Sequence, residues 1–149
     1  MANLLPDQEP LISYTHSMRS RYSETDRMGY VYHGHYLEYF EVARTEFIRE
    51  TGHPYSKLED AGIMLPVFNA EIQYKKPIRY DELMHISVHI YEWPTVRFNT
   101  FYEINTDEGK GHNVLGKVEL CFTDANKRRP IRVPLSFLND FKKYVHEHA

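Results

Sequence analysis

Between Tyr22 and Tyr36 the chain reads Tyr22-Ser23-Glu24-Thr25-Asp26-Arg27-Met28-Gly29-Tyr30-Val31-Tyr32-His33-Gly34-His35-Tyr36, placing acids, histidines and glycines directly ahead of a helical period. A carboxylate there can face the open N-terminus of the helix. Its unpaired backbone N–H groups and positive dipole end suit a carbonyl oxygen that gains negative charge. Thioester hydrolysis needs that pairing. Asp26 would attack the acyl carbon or deprotonate a water, while N–H groups near His33 and Gly34 polarise the carbonyl. On residue type alone an aspartate in such a loop is more often a cap or turn former than a catalyst. His33 also has two readings, an imidazole that orients thioester or water and a helix-entry residue whose ring bonds backbone.

The elements that must hold this loop follow from hydrophobic period. Tyr14, His16, Met18, Ser20 and Tyr22 alternate with Thr15, Ser17, Arg19 and Arg21, which predicts a first strand. From Tyr36 the period lengthens: Tyr36, Phe40, Ala43 and Phe47, flanked by Leu37 and Ile48, form one helical face. Gly52 is placed to end that helix and Pro54 to prevent its continuation. Four strands are expected next, around Phe68–Tyr74, Met84–Ile90, Val96–Ile104 and Val114–Phe122, with a polar turn at Asp107-Glu108-Gly109-Lys110-Gly111. After Pro134, Leu135, Leu138, Phe141 and Val145 predict an amphipathic C-terminal helix. Strand, long helix and four consecutive strands favour an α+β roll, one antiparallel sheet with the helix on its concave face. Such a sheet leaves edges and one face open, which predicts at least a dimer.

Composition narrows the function classes. Hydrophobic residues make up 42% of the 149 and charged residues 26%, the range of soluble globular proteins, and no apolar run is long enough to span a bilayer. The first ten residues lack a basic region followed by an apolar one, so no secretory signal is expected and cytoplasm is the default. The net charge of -3 gives no global pull toward nucleic acid or anionic membrane. Cys121 is the only cysteine, which excludes an intramolecular disulfide, and its strand context predicts a small core residue.

The string Glu24-Thr25-Asp26-x-x-Gly29-x-Val31-Tyr32-His33-x-x-Tyr36, followed by Phe40-Glu41-x-Ala43-Arg44-Thr45-Glu46, resembles the 4-hydroxybenzoyl-CoA thioesterase family, especially its bacterial Tol-Pal-associated acyl-CoA thioesterase branch. A looser likeness runs through the strands and Lys127-Arg128-Arg129-Pro130 to about Phe141. The resemblance implies a hotdog fold, an antiparallel sheet wrapped around one long central helix with a C-terminal helix added. It implies a single domain over residues 1–149 with its core at about 12–141. It further implies an active site between two subunits of a homodimer or homotetramer. The expected reaction converts a small-to-medium acyl-CoA to free acid and CoA, with no metal or redox cofactor. The family's catalytic aspartate falls on Asp26, its tyrosine and histidine on Tyr22 and His33, and its loop glycine on Gly29. Glu24 replaces an acid that is commonly Asp, His35 follows Gly34 unusually, and Tyr30 stands where a small or aliphatic residue is usual, which bears on acyl preference.

Coenzyme A carries several phosphate charges, so local cations must hold it. Lys127, Arg128 and Arg129 form the favoured cluster, and Lys75, Lys76 and Arg79 form the rival. His35, His85, His89 and His112 lack metal-ligand spacing. Glu41, Arg44 and Glu46 suit ion pairs or subunit contacts on the helix. Two other functions fit the scaffold. A thioester hydratase or dehydratase would carry a motif such as His-Phe-Pro, which does not occur, and a noncatalytic acyl-CoA-binding protein would lack turnover.

Overall fold

The computed structural model describes residues 3–107 and 111–148, so the expected turn after Asp107 lies largely outside the described residues. In chain order it contains β1 (Ile12–Arg19), α1 (Tyr36–Glu50), α2 (Tyr55–Asp60), β2 (Ile63–Met64), β3 (Val67–Tyr74), β4 (Leu83–Ile90), β5 (Arg97–Thr106), β6 (Val114–Cys121), β7 (Thr123–Asp124) and α3 (Leu135–His148). Five strands pair antiparallel in the order β1-β4-β5-β6-β3, and β2 pairs with β7. The sheet wraps α1, which is the hotdog arrangement.

Period-two alternation explains the concave face. Met84, Ile86, Val88 and Ile90 of β4, Phe98, Tyr102 and Ile104 of β5, and Val114, Val118 and Leu120 of β6 are all buried against Phe40, Ala43, Phe47 and Ile48 of α1. The depth of the helix is set at one point. The Phe40 ring stacks on Tyr102 with centroids 4.5 Å apart. It also fills the space above Gly116, where an added Cβ would lie 2.3 Å from Phe40 Cε2. Gly116 and Tyr102 are direct partners across β5 and β6, so one ring spans both.

Several expectations are corrected. The first strand stops at Arg19, and Tyr22 belongs instead to a 3-10 turn, Tyr22–Glu24. Gly52 does follow α1, at φ +86, but Pro54 opens the additional short helix α2. On α3 the buried stripe is Phe137, Phe141, Tyr144 and Val145, and Leu135 is 71% exposed. The reason is an aromatic cluster in which Phe137 meets Phe98, Phe122 and the His53 ring, turning α3 away from Leu135. Arg44 makes no ion pair with an acid among the described residues, whereas Glu46 pairs with Arg49.

The convex face is more structured than plain strand alternation predicts. Cys121, only half-buried, points to this side rather than into the core. The histidines here are partnered: His85 bridges Ser17 and Asp107, His89 bridges Ser13 and Glu103, and His112 meets the same Glu103. Leu115 and Phe101 are buried although alternation turns them outward, and residues 3–7 form a concavity with Phe101 and Lys117. Of the two edges, β1 alternates in exposure while every residue of β3 is at least partly exposed. Among the described residues no helix is long and apolar enough to cross a membrane.

The seat of Phe40 yields a direct test. Gly116→Ala should destabilise the protein by about 1–3 kcal/mol through overpacking, and Phe40→Leu in that background should recover part of the loss. Denaturant titration of the three variants measures both, and a neutral Gly116→Ala would show that the ring can move aside.

Candidate active site

The loop ahead of α1 folds on itself before it meets the helix. Asp26 and Tyr30 close a tight hairpin, with Asp26 N–H donating to Tyr30 O at 2.7 Å and Gly29 N–H to Asp26 O at 3.0 Å. Gly29 sits at φ +80, where a side chain would be strained, so this turn needs the glycine. The Asp26 carboxylate folds over the hairpin, its Oδ1 accepting N–H bonds from Met28 at 2.9 Å and Tyr30 at 3.3 Å. Among the described residues nothing donates to Oδ2. One oxygen is thus fixed by backbone and the other is available for chemistry.

Asp26 lies on the boundary of two concavities. The first, about 320 Å³, is walled by Asp26, Tyr30, His33, Tyr36, Tyr74 and Lys75, with Lys76 also lining it. The second, about 700 Å³, contains Asp26 with Tyr22, Thr25, Gly29 and Tyr80. The expected residues therefore divide. His33 shares one side with Asp26, and Tyr22 shares the other, 79% exposed and edge-on to Tyr80. His33 itself is exposed, its ring 4.2 Å from that of Tyr32 and its carbonyl accepting from the Tyr74 hydroxyl at 3.1 Å.

A 3-10 turn, His33–His35, leads into α1. Tyr32 N–H is taken by Glu24 O and His35 N–H by Tyr32 O, while the N–H groups of His33 and Gly34 begin the helical run and have no intrahelical acceptor. Gly34 is confined by the Tyr32 ring, 2.8 Å from where its Cβ would stand. Backbone donors and the positive end of a helix thus stand at the wall that carries Asp26.

Glu24 holds loop and helix together. Only 4% exposed, it accepts from the Arg21 backbone and guanidinium and from the Tyr39 hydroxyl of α1 at 2.9 Å. Burial disfavours its ionised form, but the Arg21 and Tyr39 donors outweigh that and hold the carboxyl below the usual range. Tyr36 is pushed up to about 12 by burial, so its hydroxyl stays protonated. In the sequence Tyr36 reads only as a core position and Tyr74 only as a strand residue; nothing in their spacing marks them as cavity walls.

The two cationic clusters also part. Lys75 and Lys76 line the Asp26 cavity. Lys127, Arg128 and Arg129 lie instead in a turn after β7, where Asp124 Oδ1 accepts from Asn126 and Lys127 N–H and Arg128 adopts φ +55. Neither concavity beside Asp26 includes them.

A family model described as the thioesterase-like superfamily matches residues 20–141. YneP of Bacillus subtilis (strain 168), named as a proposed acyl-CoA thioesterase, is 34% identical over 117 residues, 78% of this chain and 84% of that protein. The acyl-CoA thioester hydrolase YbgC of Escherichia coli O157:H7 is 27% identical over 126 residues, 85% of this chain and 93% of its own. Among solved structures, a DHNA-CoA thioesterase from Staphylococcus aureus superposes with a TM-score of 0.82 at 31% identity, covering 89% of this chain and 90% of that one.

The Glu24 clip predicts a pH signature. A carboxyl whose folded pKa is depressed contributes stability above its unfolded value and loses it as pH falls through the folded one. Glu24→Gln should therefore be less stable than wild type at pH 7 by about 1–2 kcal/mol. The gap should close as pH drops below about 4.5, the ordinary value. Denaturation at pH 7 and in steps down to acid measures this, and a gap constant with pH would assign Glu24 a shape role alone.

Proposed function

The chain belongs to the thioesterase-like superfamily, and on that premise we propose that it hydrolyses acyl-CoA thioesters with Asp26 as the working carboxylate. The observation that carries this reading is the division of labour within Asp26: Oδ1 is held by two backbone N–H groups while Oδ2 is left beside a cavity that starts at the α1 N-terminus. Oδ2 either attacks the thioester carbon, forming an anhydride that water then cleaves, or takes a proton from the attacking water. In both routes the C–S bond breaks, CoA leaves as its thiolate, and the acyl group ends as a free acid. The N–H groups of His33 and Gly34 stabilise the oxyanion, with Gly29 shaping the loop. His33 orients the substrate and Tyr22 borders the far concavity.

The Glu24 to His33 string supports the 4-hydroxybenzoyl-CoA thioesterase family and its Tol-Pal-associated branch within the superfamily. Names of relatives supply the acyl-CoA class, as in YbgC and the DHNA-CoA thioesterase. A cytoplasmic site of action belongs to the same proposal. A homodimer formed along β3 is part of the same proposal, supported by the open edge with Val67, Phe68 and Tyr74 exposed.

The test is Asp26→Asn. The amide keeps an oxygen to accept the Met28 and Tyr30 N–H bonds, so the hairpin survives while the basic, nucleophilic oxygen is lost. On the best substrate of an acyl-CoA panel, kcat should fall roughly 10²- to 10⁴-fold with KM little changed. His33→Ala should cost less, and Tyr22→Phe less again. A folded, dimeric Asp26→Asn protein with wild-type kcat would make Asp26 a turn former, and absence of turnover in wild type would favour the binding-protein alternative.

For the CoA phosphates, Lys75 and Lys76 are supported by their place on the cavity wall. The expected cluster Lys127, Arg128 and Arg129 lines neither concavity beside Asp26. Neutralising Lys75 and Lys76 should raise KM several-fold at low salt and little at high salt, with kcat nearly constant. The same result from the Lys127, Arg128 and Arg129 triple variant instead would move the phosphates to that turn.

A further inference from the structure

Ser20 directly follows β1, is only 2% exposed, and lines neither concavity beside Asp26. All three of its polar groups go to one turn. Its N–H donates to Glu82 O at 3.2 Å, its carbonyl accepts from Asp81 N–H at 3.2 Å, and its hydroxyl donates to Arg79 O at 2.7 Å. That turn closes the connection between β3 and β4, residues 75–82. The other end of the connection is held by Asn113, the residue before β6, which is 3% exposed. Asn113 O accepts the N–H groups of Lys75 and Lys76 at 2.9 and 3.0 Å, and its Nδ2 donates to Pro77 O at 3.3 Å. Its Oδ1 has no hydrogen-bond partner among the described residues. A buried amide satisfied on one side only is a poor stabiliser, so the bond it does make points to a role in position.

Between these two anchors the connection carries the Asp26 hairpin. Val31 N–H donates to Ile78 O at 2.8 Å, Tyr80 N–H donates to Gly29 O at 3.2 Å, and Tyr30 pairs with Arg79 in an antiparallel bridge. Arg79 also lays its guanidinium over the Tyr30 ring, 5.8 Å from the centroid. Ile78, fully buried between the exposed Pro77 and Arg79, pins the same stretch to the core. Tyr30 is the residue whose N–H and carbonyl both bond to Asp26. An unbroken path therefore runs from the Ser20 hydroxyl to Arg79 O, from Arg79 to Tyr30, and from Tyr30 N–H to Asp26 Oδ1.

We propose that Ser20 and Asn113 are positioning residues for the Asp26 carboxylate. By clamping both ends of the β3–β4 connection they hold the hairpin, and with it Oδ2, in place against the α1 N-terminus. The role rests on the reading of Asp26 as the working carboxylate. A misplacement of about 1 Å at a reacting group can cost about 10²-fold in rate, so a single buried anchor has leverage on kcat far from the chemistry.

Ser20→Ala removes the hydroxyl and nothing else. On the best substrate of an acyl-CoA panel its kcat should fall about tenfold with KM little changed, and Asn113→Ala should act in the same direction. In the Asp26→Asn background Ser20→Ala should cost nothing further, because its effect passes through the carboxylate. Amide hydrogen exchange gives a readout without turnover: the Val31 and Tyr80 amides should exchange about fivefold faster in Ser20→Ala, the scale of one hydrogen bond, while amides of β5 and β6 keep their wild-type rates. Should Ser20→Ala fail to fold, Asn113→Ala carries both measurements, since the backbone bonds from Lys75 and Lys76 to Asn113 O do not need its side chain. Wild-type kcat in the anchor variants, unchanged exchange at Val31 and Tyr80, a uniform rise of exchange across the sheet, or an equal loss of kcat in the Asp26→Asn background each overturns the proposal. Wild-type kcat in Asp26→Asn itself overturns the active-site reading and this proposal together, an outcome distinct from failure of the proposal alone, in which Asp26→Asn is slow and the anchor variants are not.

Discussion

Much of this molecule depends on the absence of a side chain at Gly116. The Phe40 ring occupies the volume above it and stacks on Tyr102, its partner on the neighbouring strand, so α1 can approach the sheet only to that depth. Tyr102 then works twice. Its ring seats Phe40, and its hydroxyl holds Arg44 one turn further along the helix. In the other direction Tyr36 and Tyr39 follow from the same seat, and Tyr39 reaches Glu24 in the loop. A contact in the core thereby fixes where the helix N-terminus stands, and so where a developing oxyanion could be met.

Glu24 shows how an irregular loop is made specific. A run of 3-10 turn, hairpin and second 3-10 turn has few repeating hydrogen bonds, so its geometry must be imposed by side chains. Glu24 does this with its carboxylate on Arg21 and Tyr39 and its carbonyl on Tyr32 N–H, tying both halves of the loop to α1. The Asp26 hairpin between these ties needs only its own backbone bonds and the left-handed Gly29. Buried ionic anchoring and an accessible carboxylate are therefore assigned to two different acids two residues apart.

Regular periodicity made most of the scaffold readable. β4, β5 and β6 bury the alternate residues their patterns mark, and α1 buries the face its spacing marks. The chain departs from its period where another force competes. Tyr22 continues the alternation of β1 on paper, yet the Arg21–Glu24 clip turns the chain away. Leu135 fits an apolar stripe, yet ring packing around Phe137 rotates α3. Asp26 was legible as a candidate from its loop and its resemblance, but the free Oδ2 and the two concavities were not, because they depend on backbone bonds between residues of no special type. Lys127 to Arg129 form the denser cationic cluster in the sequence, whereas Lys75 and Lys76 stand at the cavity because β3 ends there.

That end of β3 belongs both to the open sheet edge and to the wall of the Asp26 cavity. Tyr74 is the last residue of an edge strand, a wall of the Asp26 cavity, and the donor to the carbonyl of His33. An edge strand offers unpaired backbone groups along its length, and β3 is exposed on both faces, so it is the natural line for a second copy to join. A chain laid along β3 must run to Tyr74 and Lys75 and reach the mouth of the cavity. The exposure that makes the edge available for pairing and the cavity that holds Asp26 share residues, so a second copy could not occupy one without bordering the other.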